Sequence, residues 1–180
     1  MYGFKQAPKL ITKGYYMNDN GEHKLCIMEL VDLVDRNTYE QATEMPIFMD
    51  RPDCVDPLIA HVFRTINDTL PDERRQELLQ FFDRLFHAGI HPRDEARRKA
   101  FSDKLDEIAE DYRKYLPEGL EETFSTSATL KGAAFDADPD EKLKLAEKLL
   151  AAVEEIKGIT EVVPKNREKI EEALERFGLL

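Results

Sequence analysis

His61 is the first residue whose neighbours can give it chemistry. On a helix it shares a face with Arg64 at i+3 and Asp68 at i+7, so a cation and a carboxylate flank one imidazole. Such a set can set the charge of the ring and make it a general acid or base. The face is the polar one, where solvated charges also belong. Arg75 makes a second constellation. Projected on its helix it falls with Leu78, Leu79 and Phe82, on the apolar side. A guanidinium there requires a partner, because an unpaired buried charge is costly. Asp72 at i−3 and Asp68 one turn upstream are the nearest carboxylates, with Asp53 and Asp56 in the preceding loop. Asp68, Asp72 and Arg75 are therefore expected to form a polar clasp across a helix–helix turn. An enzyme built on this chain would gather His61, Arg64, Asp68 and Arg75.

Other chemistry is thin. His23-x-x-Cys26 and His87-x3-His91 are the local pairs with metal-ligand spacing. Gly89 and Pro92 break any helix between the two histidines, so no metal is expected. Cys54 lies between Asp53 and Asp56, whose charges raise a thiol pKa and disfavour a nucleophilic thiolate. There is no glycine-rich dinucleotide or phosphate loop and no nucleophile elbow, and no cofactor is expected.

These residues sit in a chain of 180 residues, a length suited to one domain. Charged residues make up 35% and hydrophobic ones 42%, with a net charge of −11. That balance excludes a disordered acidic tail and disfavours nucleic acid and anionic membranes as partners. The first ten residues hold no apolar run of signal-peptide type, and no stretch is long and apolar enough to span a bilayer. With two cysteines, Cys26 and Cys54, a cytoplasmic protein with reduced thiols is expected.

Glycines and prolines fall between periodic segments, which predicts an all-α fold of five to six helices with an extended or short-hairpin N-terminal segment. A mostly buried helix is expected over Lys24–Arg36 and an irregular loop over Asn37–Asp53. Asp56-Pro57 starts an amphipathic helix with its cap and its proline together. A second runs from Pro71 to Gly89, where glycine can close it in the left-handed region. A third runs from Pro92 to Pro117. Residues 118–137 are small and aperiodic and read as a loop or hinge between an N-terminal helical domain, 1–117, and a C-terminal helical pair, 138–180, that is expected to pack on the first. Asp138-Pro139 restarts a helix that Gly158 ends, and a last helix covers about 165–177. The long C-terminal helix carries a broad apolar face on Leu143, Leu149, Leu150, Val153 and Ile156, part of which is expected to rest on the N-terminal core or on another chain, with a partner or a second copy favoured. Residues 101–180 hold 12 basic and 20 acidic side chains, so most of the negative charge lies there.

The stretch Asp50-x-Pro52-x-Cys54-x-x-Pro57, followed by Asn67-Asp68-x-Leu70-Pro71-Asp72-x-x-Arg75, resembles a segment of uncharacterised bacterial and phage helical proteins. The resemblance covers about residues 25–88. It implies a helical fold and carries no activity. The function expected from the whole sequence is a small acidic protein that binds another protein without catalysis of its own, such as a phage or bacterial regulator or inhibitor. An enzyme around His61 and a self-assembling structural subunit are the alternatives.

Overall fold

In a computed structural model, the residues described are 16–17, 23–35, 51–119 and 123–176. They form seven helical stretches, more than the five or six expected. A short antiparallel pairing precedes them, β1 (Tyr16–Met17) against β2 (His23–Lys24), with Tyr16 opposite Lys24 and Met17 opposite His23. The N-terminal segment thus contains a minimal hairpin. Most of the loop expected over Asn37–Asp53 lies outside the described residues.

Helix α1 (Ile27–Asp35) is nearly all buried. Its start is a capping box in which cysteine replaces the usual hydroxyl residue. The Cys26 N–H donates to Glu29 Oε2 at 2.8 Å, and the Glu29 N–H donates to Cys26 Sγ at 3.4 Å. The Ile27 N–H donates to Asn67 Oδ1 at 3.3 Å, so a fully buried asparagine on the next helix satisfies another helix-start donor.

Helix α2 (Pro57–Thr69) follows its sequence cues. Asp56 accepts from the Leu58 N–H at 2.9 Å and Pro57 occupies the first turn. Ile59, Val62, Phe63 and Ile66 bury its apolar face. The expected second helix is three pieces: α3 (Asp72–Arg75), a 3-10 segment (Gln76–Phe81) and α4 (Phe82–Leu85). Tightening the middle to a 3-10 winding turns Leu78, Leu79, Phe81 and Phe82 all inward. Gly89 does not close this stretch in the left-handed region, since the positive-φ glycines among the described residues are Gly119 and Gly158. Its role is close approach: a Cβ there would stand 2.6 Å from the Cys54 carbonyl oxygen.

Helix α5 (Glu95–Tyr112) opens three residues later than Pro92, capped by Asp94, whose carboxylate accepts from the Arg97 N–H at 3.1 Å. A short 3-10 turn (Arg113–Tyr115) follows it, ahead of Pro117.

Residues 126–136, expected within a loop or hinge, are helix α6 (Thr126–Asp136). Ser125 caps it, accepting from the Ala128 N–H at 3.3 Å. Thr129, Leu130, Ala133 and Ala134 are fully buried, and α6 packs on both α2 and α5. Its small residues permit that close two-sided packing and erase the one-sided periodicity by which a surface helix is recognised. The chain segment that was to separate two units therefore lies in the middle of one continuous core that reaches from Leu25 to Leu174.

Helix α7 (Pro139–Lys157) has the expected ends. Asp138 accepts from the Glu141 N–H at 3.0 Å, and Gly158 sits at φ 66°. The Gly158 N–H reaches the Glu155 carbonyl at 3.1 Å and the Ile159 N–H the Glu154 carbonyl at 2.9 Å, a Schellman closure. Helix α8 (Arg167–Arg176) buries Ile170, Ala173 and Leu174. It is anchored on α4 by Asp83, which accepts from the Lys165 N–H at 2.8 Å and pairs with Arg167. No helix among the described residues is long and apolar enough to cross a membrane.

Candidate functional site

Arg75 sits where its wheel position places it, 4% exposed, and it is the knot of the α2–α3 turn. Its Nε donates to the Asn67 carbonyl at 2.7 Å, Nη2 to the Leu70 carbonyl at 2.8 Å and Nη1 to Asp72 at 2.8 Å. The expected clasp is present with Asp72. Asp68 instead accepts from the Asn67 side-chain amide at 3.4 Å. The larger share of the clasp is the two carbonyls at the end of α2, for which helix geometry provides no partner.

His61 is half-buried on α2, and its Nδ1 lies 3.1 Å from Arg64 Nη2. Beside an arginine nitrogen, that ring atom is an acceptor and the proton belongs on Nε2. Arg64 is thus close to His61, while Asp68 is exposed one turn further on. Arg75 has all three donor nitrogens turned to the clasp. Neither of the two clefts described below is lined by any of these four residues.

The interaction face expected on α7 is corrected by packing. Leu149, Leu150 and Val153 are fully buried in the chain's own core, and Leu143 and Ile156 are partly buried against it. The width of the apolar arc is accounted for by α2, α5 and α6, all of which α7 meets. Several acids of α7 also pair with basic side chains of other elements, Glu154 partly buried and Asp140, Glu147 and Glu155 at the surface. Arg84 Nε and Nη2 grip the Glu154 carboxylate at 2.6 and 2.8 Å, and Nη1 reaches Glu147 at 2.5 Å. Lys104 meets Glu155 at 3.3 Å, Lys148 meets Asp111 at 2.6 Å and Arg74 meets Asp140 at 2.7 Å. Part of the C-terminal negative charge, Asp111, Asp140, Glu147, Glu154 and Glu155, is therefore engaged in pairs between elements. Asp140 and Asp111 are held below the usual carboxylate range by their hydrogen bonds to Arg74 and Lys148.

Two clefts remain. The shallower, of about 450 Å³, lies between the 3-10 segment and α7 and is rimmed by the Arg74, Glu77 and Asp140 pairs. The other, of about 510 Å³, is formed where the Arg51–Pro57 loop meets the Phe86–Pro92 turn and the end of α7. Gly89 allows these two backbones to touch, and the Asp56 N–H donates to the Ala88 carbonyl at 3.2 Å. Val55, Phe86 and Ile90 supply apolar walls, while Arg51 and Lys157 supply positive groups and His91 an imidazole. Asp56 also lines it, with its carboxylate turned to the cap of α2, and Asp53 stands exposed at the edge.

Lys157 is the least conventional of these. Its Nζ donates to the His87 and Gly89 carbonyls at 2.7 and 3.0 Å, tying the last turn of α7 to the far wall of the cleft. Partial burial, and then the nearby Arg97 cation, pull this ammonium below the usual lysine range. Cys54 points the opposite way. Burial first, then Asp35 at the end of α1, push its thiol up to about 12. The neutral thiol is thus the stable form, as expected, but the responsible carboxylate is Asp35 and not Asp53 or Asp56. Cys26, more deeply buried and beside Glu29, is pushed further up still.

No group of three or more histidine, cysteine, aspartate or glutamate side chains among the described residues can hold a metal ion. The sequence pointed to Arg75, but Lys157 was missed: its spacing on α7 marks only a basic last turn, and its partners come from some 70 residues away. No protein-family model, curated protein or solved structure matches the chain.

Proposed function

We propose that the chain acts by binding another protein and performs no catalysis of its own. The observation that carries this reading is the cleft between Arg51–Pro57 and Phe86–Pro92. It joins apolar walls to a charged rim in which Arg51 and Lys157 stand beside Asp53 and Asp56, and its thiol is held neutral. Apolar anchors inside a charged rim are the composition of a recognition surface. The resemblance over residues 25–88 points to a bacterial or phage origin and not to an activity; a regulator or inhibitor acting in the cytoplasm is the form in which we place this binding.

An enzyme around His61 is the second reading, favoured by the 3.1 Å approach of Arg64 to the ring. The two readings separate in one experiment. The full chain, immobilised, is used to capture protein from a bacterial lysate, with an Ile90→Asp variant run alongside. Binding predicts one protein retained in near-equal amount by the wild type and lost from the variant. A chain that retains none, and instead converts a substrate in a manner abolished by His61→Ala, overturns the binding reading.

A further inference from the structure

The 72–85 stretch is wound against its own sequence. From Asp72 to Ala88 there is no glycine, proline or β-branched residue, and its leucines, glutamines, glutamates and arginines are strong α-helix formers. At α-helical spacing Leu78, Leu79, Phe82, Leu85 and Phe86 fall within one arc of about 120°, so a continuous α-helix offers a single apolar face. Yet the six residues Gln76–Phe81 are a 3-10 run between α3 and α4. Runs longer than about four residues are uncommon, because 3-10 hydrogen bonds are less well aligned than those of an α-helix.

The winding is imposed from α7. Near the start of the stretch Arg74 Nη2 meets Asp140 at 2.7 Å. Near its end Arg84 grips Glu154 at 2.6 and 2.8 Å and reaches Glu147 at 2.5 Å. Asp140 and Glu154 stand about 21 Å apart along an α-helix. Arg74 and Arg84 would be about 15 Å apart in a continuous α-helix, and the 3-10 run adds about 3 Å. The longer rise brings both arginines nearer their acids. It also turns the residues after Phe81 by about 120° relative to an α-helix, which carries Arg84 from the polar side of the wheel to α7. Asp83 holds the other flank of α4, accepting from the Lys165 N–H at 2.8 Å and pairing with Arg167.

We infer that 72–85 is a two-state element, held in its longer 3-10 form by Arg84 and Asp83 and rewinding into one α-helix when these pairs open. The rewinding retracts α4 by about 3 Å. One wall of the Cys54 cleft moves with it. The Arg84 and Leu85 carbonyls accept from the His87 and Ala88 N–H at 3.0 and 3.1 Å, and the Ala88 carbonyl accepts from the Asp56 N–H at 3.2 Å. The wall that carries Phe86 and Gly89 is thus continuous with α4. The latch thereby sets the width of the cleft, and an occupant that prefers one width biases the latch in turn. The device does not depend on what fills the cleft, so it stands or falls apart from the protein-binding reading.

The test is NMR spectroscopy of the full chain. The wild type should show Hα–HN (i, i+2) nuclear Overhauser cross-peaks across 76–81. In the double variant Asp83→Asn with Arg84→Gln these should give way to (i, i+4) cross-peaks running from 74 to 86, with amide shifts at Ala88, Gly89 and Ile90. Lys148→Gln breaks a pair of α7 with Asp111 and not with this stretch, so it should keep the wild-type pattern. In the wild type, relaxation dispersion should report microsecond-to-millisecond exchange at the amides of 76–90. An (i, i+2) pattern that persists in the double variant, or the same change in Lys148→Gln, overturns the inference. So does a wild type that is α-helical across 76–81, or one whose dispersion is flat over 76–90. Should the double variant fail to fold, the dispersion measurement decides the question alone.

Discussion

Arg75 and Arg84 look alike in sequence, each basic on the 72–85 stretch, and a helical wheel separates them. On an ideal α-helix Arg75 falls on the apolar face and Arg84 on the polar one, from which only Arg75 is expected to matter. The structure keeps the first expectation and overturns the second. The 3-10 winding of 76–81 rotates everything that follows, and Arg84 ends 19% exposed between two glutamates of α7. Replacing Arg75 with alanine strands the Asn67 and Leu70 carbonyls, at a cost of about 1–3 kcal/mol. The Asp72 carboxylate, 90% exposed, contributes little to that loss. Replacing Arg84 with alanine leaves Glu154, itself 20% exposed, without its bidentate partner, and a loss of about 1–2 kcal/mol is expected. Denaturant titration of both variants checks this; an Arg84 variant within about 0.5 kcal/mol of wild type would show the latch to be idle.

Lys142 belongs to the same scale. Its side chain is buried and its Nζ donates to Thr69 Oγ1 at 2.8 Å, beside the Ala134 carbonyl that the same hydroxyl meets. Burial lowers its pKa from 10.5, against the opposing pull of Asp136 and Asp138. In the window between that lowered value and 10.5 the unfolded chain binds more protons than the folded one, so Lys142 favours folding increasingly as pH rises. Below the window its full penalty is present. Lys142→Met should therefore be more stable than wild type at pH 7, and the difference should shrink as pH approaches 10.5. A difference that stays constant with pH would show that the ammonium is comfortably solvated.

At the scale of elements, Gly89 and Gly158 separate two uses of glycine. Gly158 holds φ 66° in open space, so Gly158→Ala costs about 1 kcal/mol through the backbone alone. Gly89→Ala drives a methyl to 2.6 Å from the Cys54 carbonyl, and the two loops of the cleft must part. A loss of about 1–3 kcal/mol is expected, with weakened docking at the cleft; thermal melts of the two variants should separate them in that order. What was legible in the sequence follows from where the cause lies. Caps are local, so Asp56-Pro57 and Asp138-Pro139 were readable to the residue. The α6 helix was not, because its evidence is two neighbours 60 and 30 residues away that tolerate only small side chains between them. The Arg75 clasp was readable because its partners are within eight positions. The cleft was not: Lys157 reaches back 70 residues to the His87 carbonyl, and no spacing rule spans that distance.

At the scale of the whole molecule, the sequence suggested a C-terminal helical pair packed on an N-terminal domain across a hinge, and among the described residues the two share one core. Helix α7 contributes Leu145, Leu149, Leu150 and Val153 to the core, each no more than 1% exposed. Burial of a side chain of this kind is worth about 1.5–3 kcal/mol, so four contribute on the order of 6–12 kcal/mol. That is comparable to the entire stability of a domain, about 5–15 kcal/mol. Truncation after Ala137 also strips α2, α5 and α6 of a neighbour they share. The fragment 1–137 should therefore fail to melt cooperatively and should elute expanded or aggregated on sizing. Truncation after Gly158 is the milder cut. It removes Ile170 and Leu174 and the Asp83 anchor but leaves α7 and its latches in place, so a lowered but still cooperative transition is expected. If instead the 1–137 fragment unfolds in a single sharp transition, α7 is an appendage and the boundary suggested by residues 118–137 is a real one.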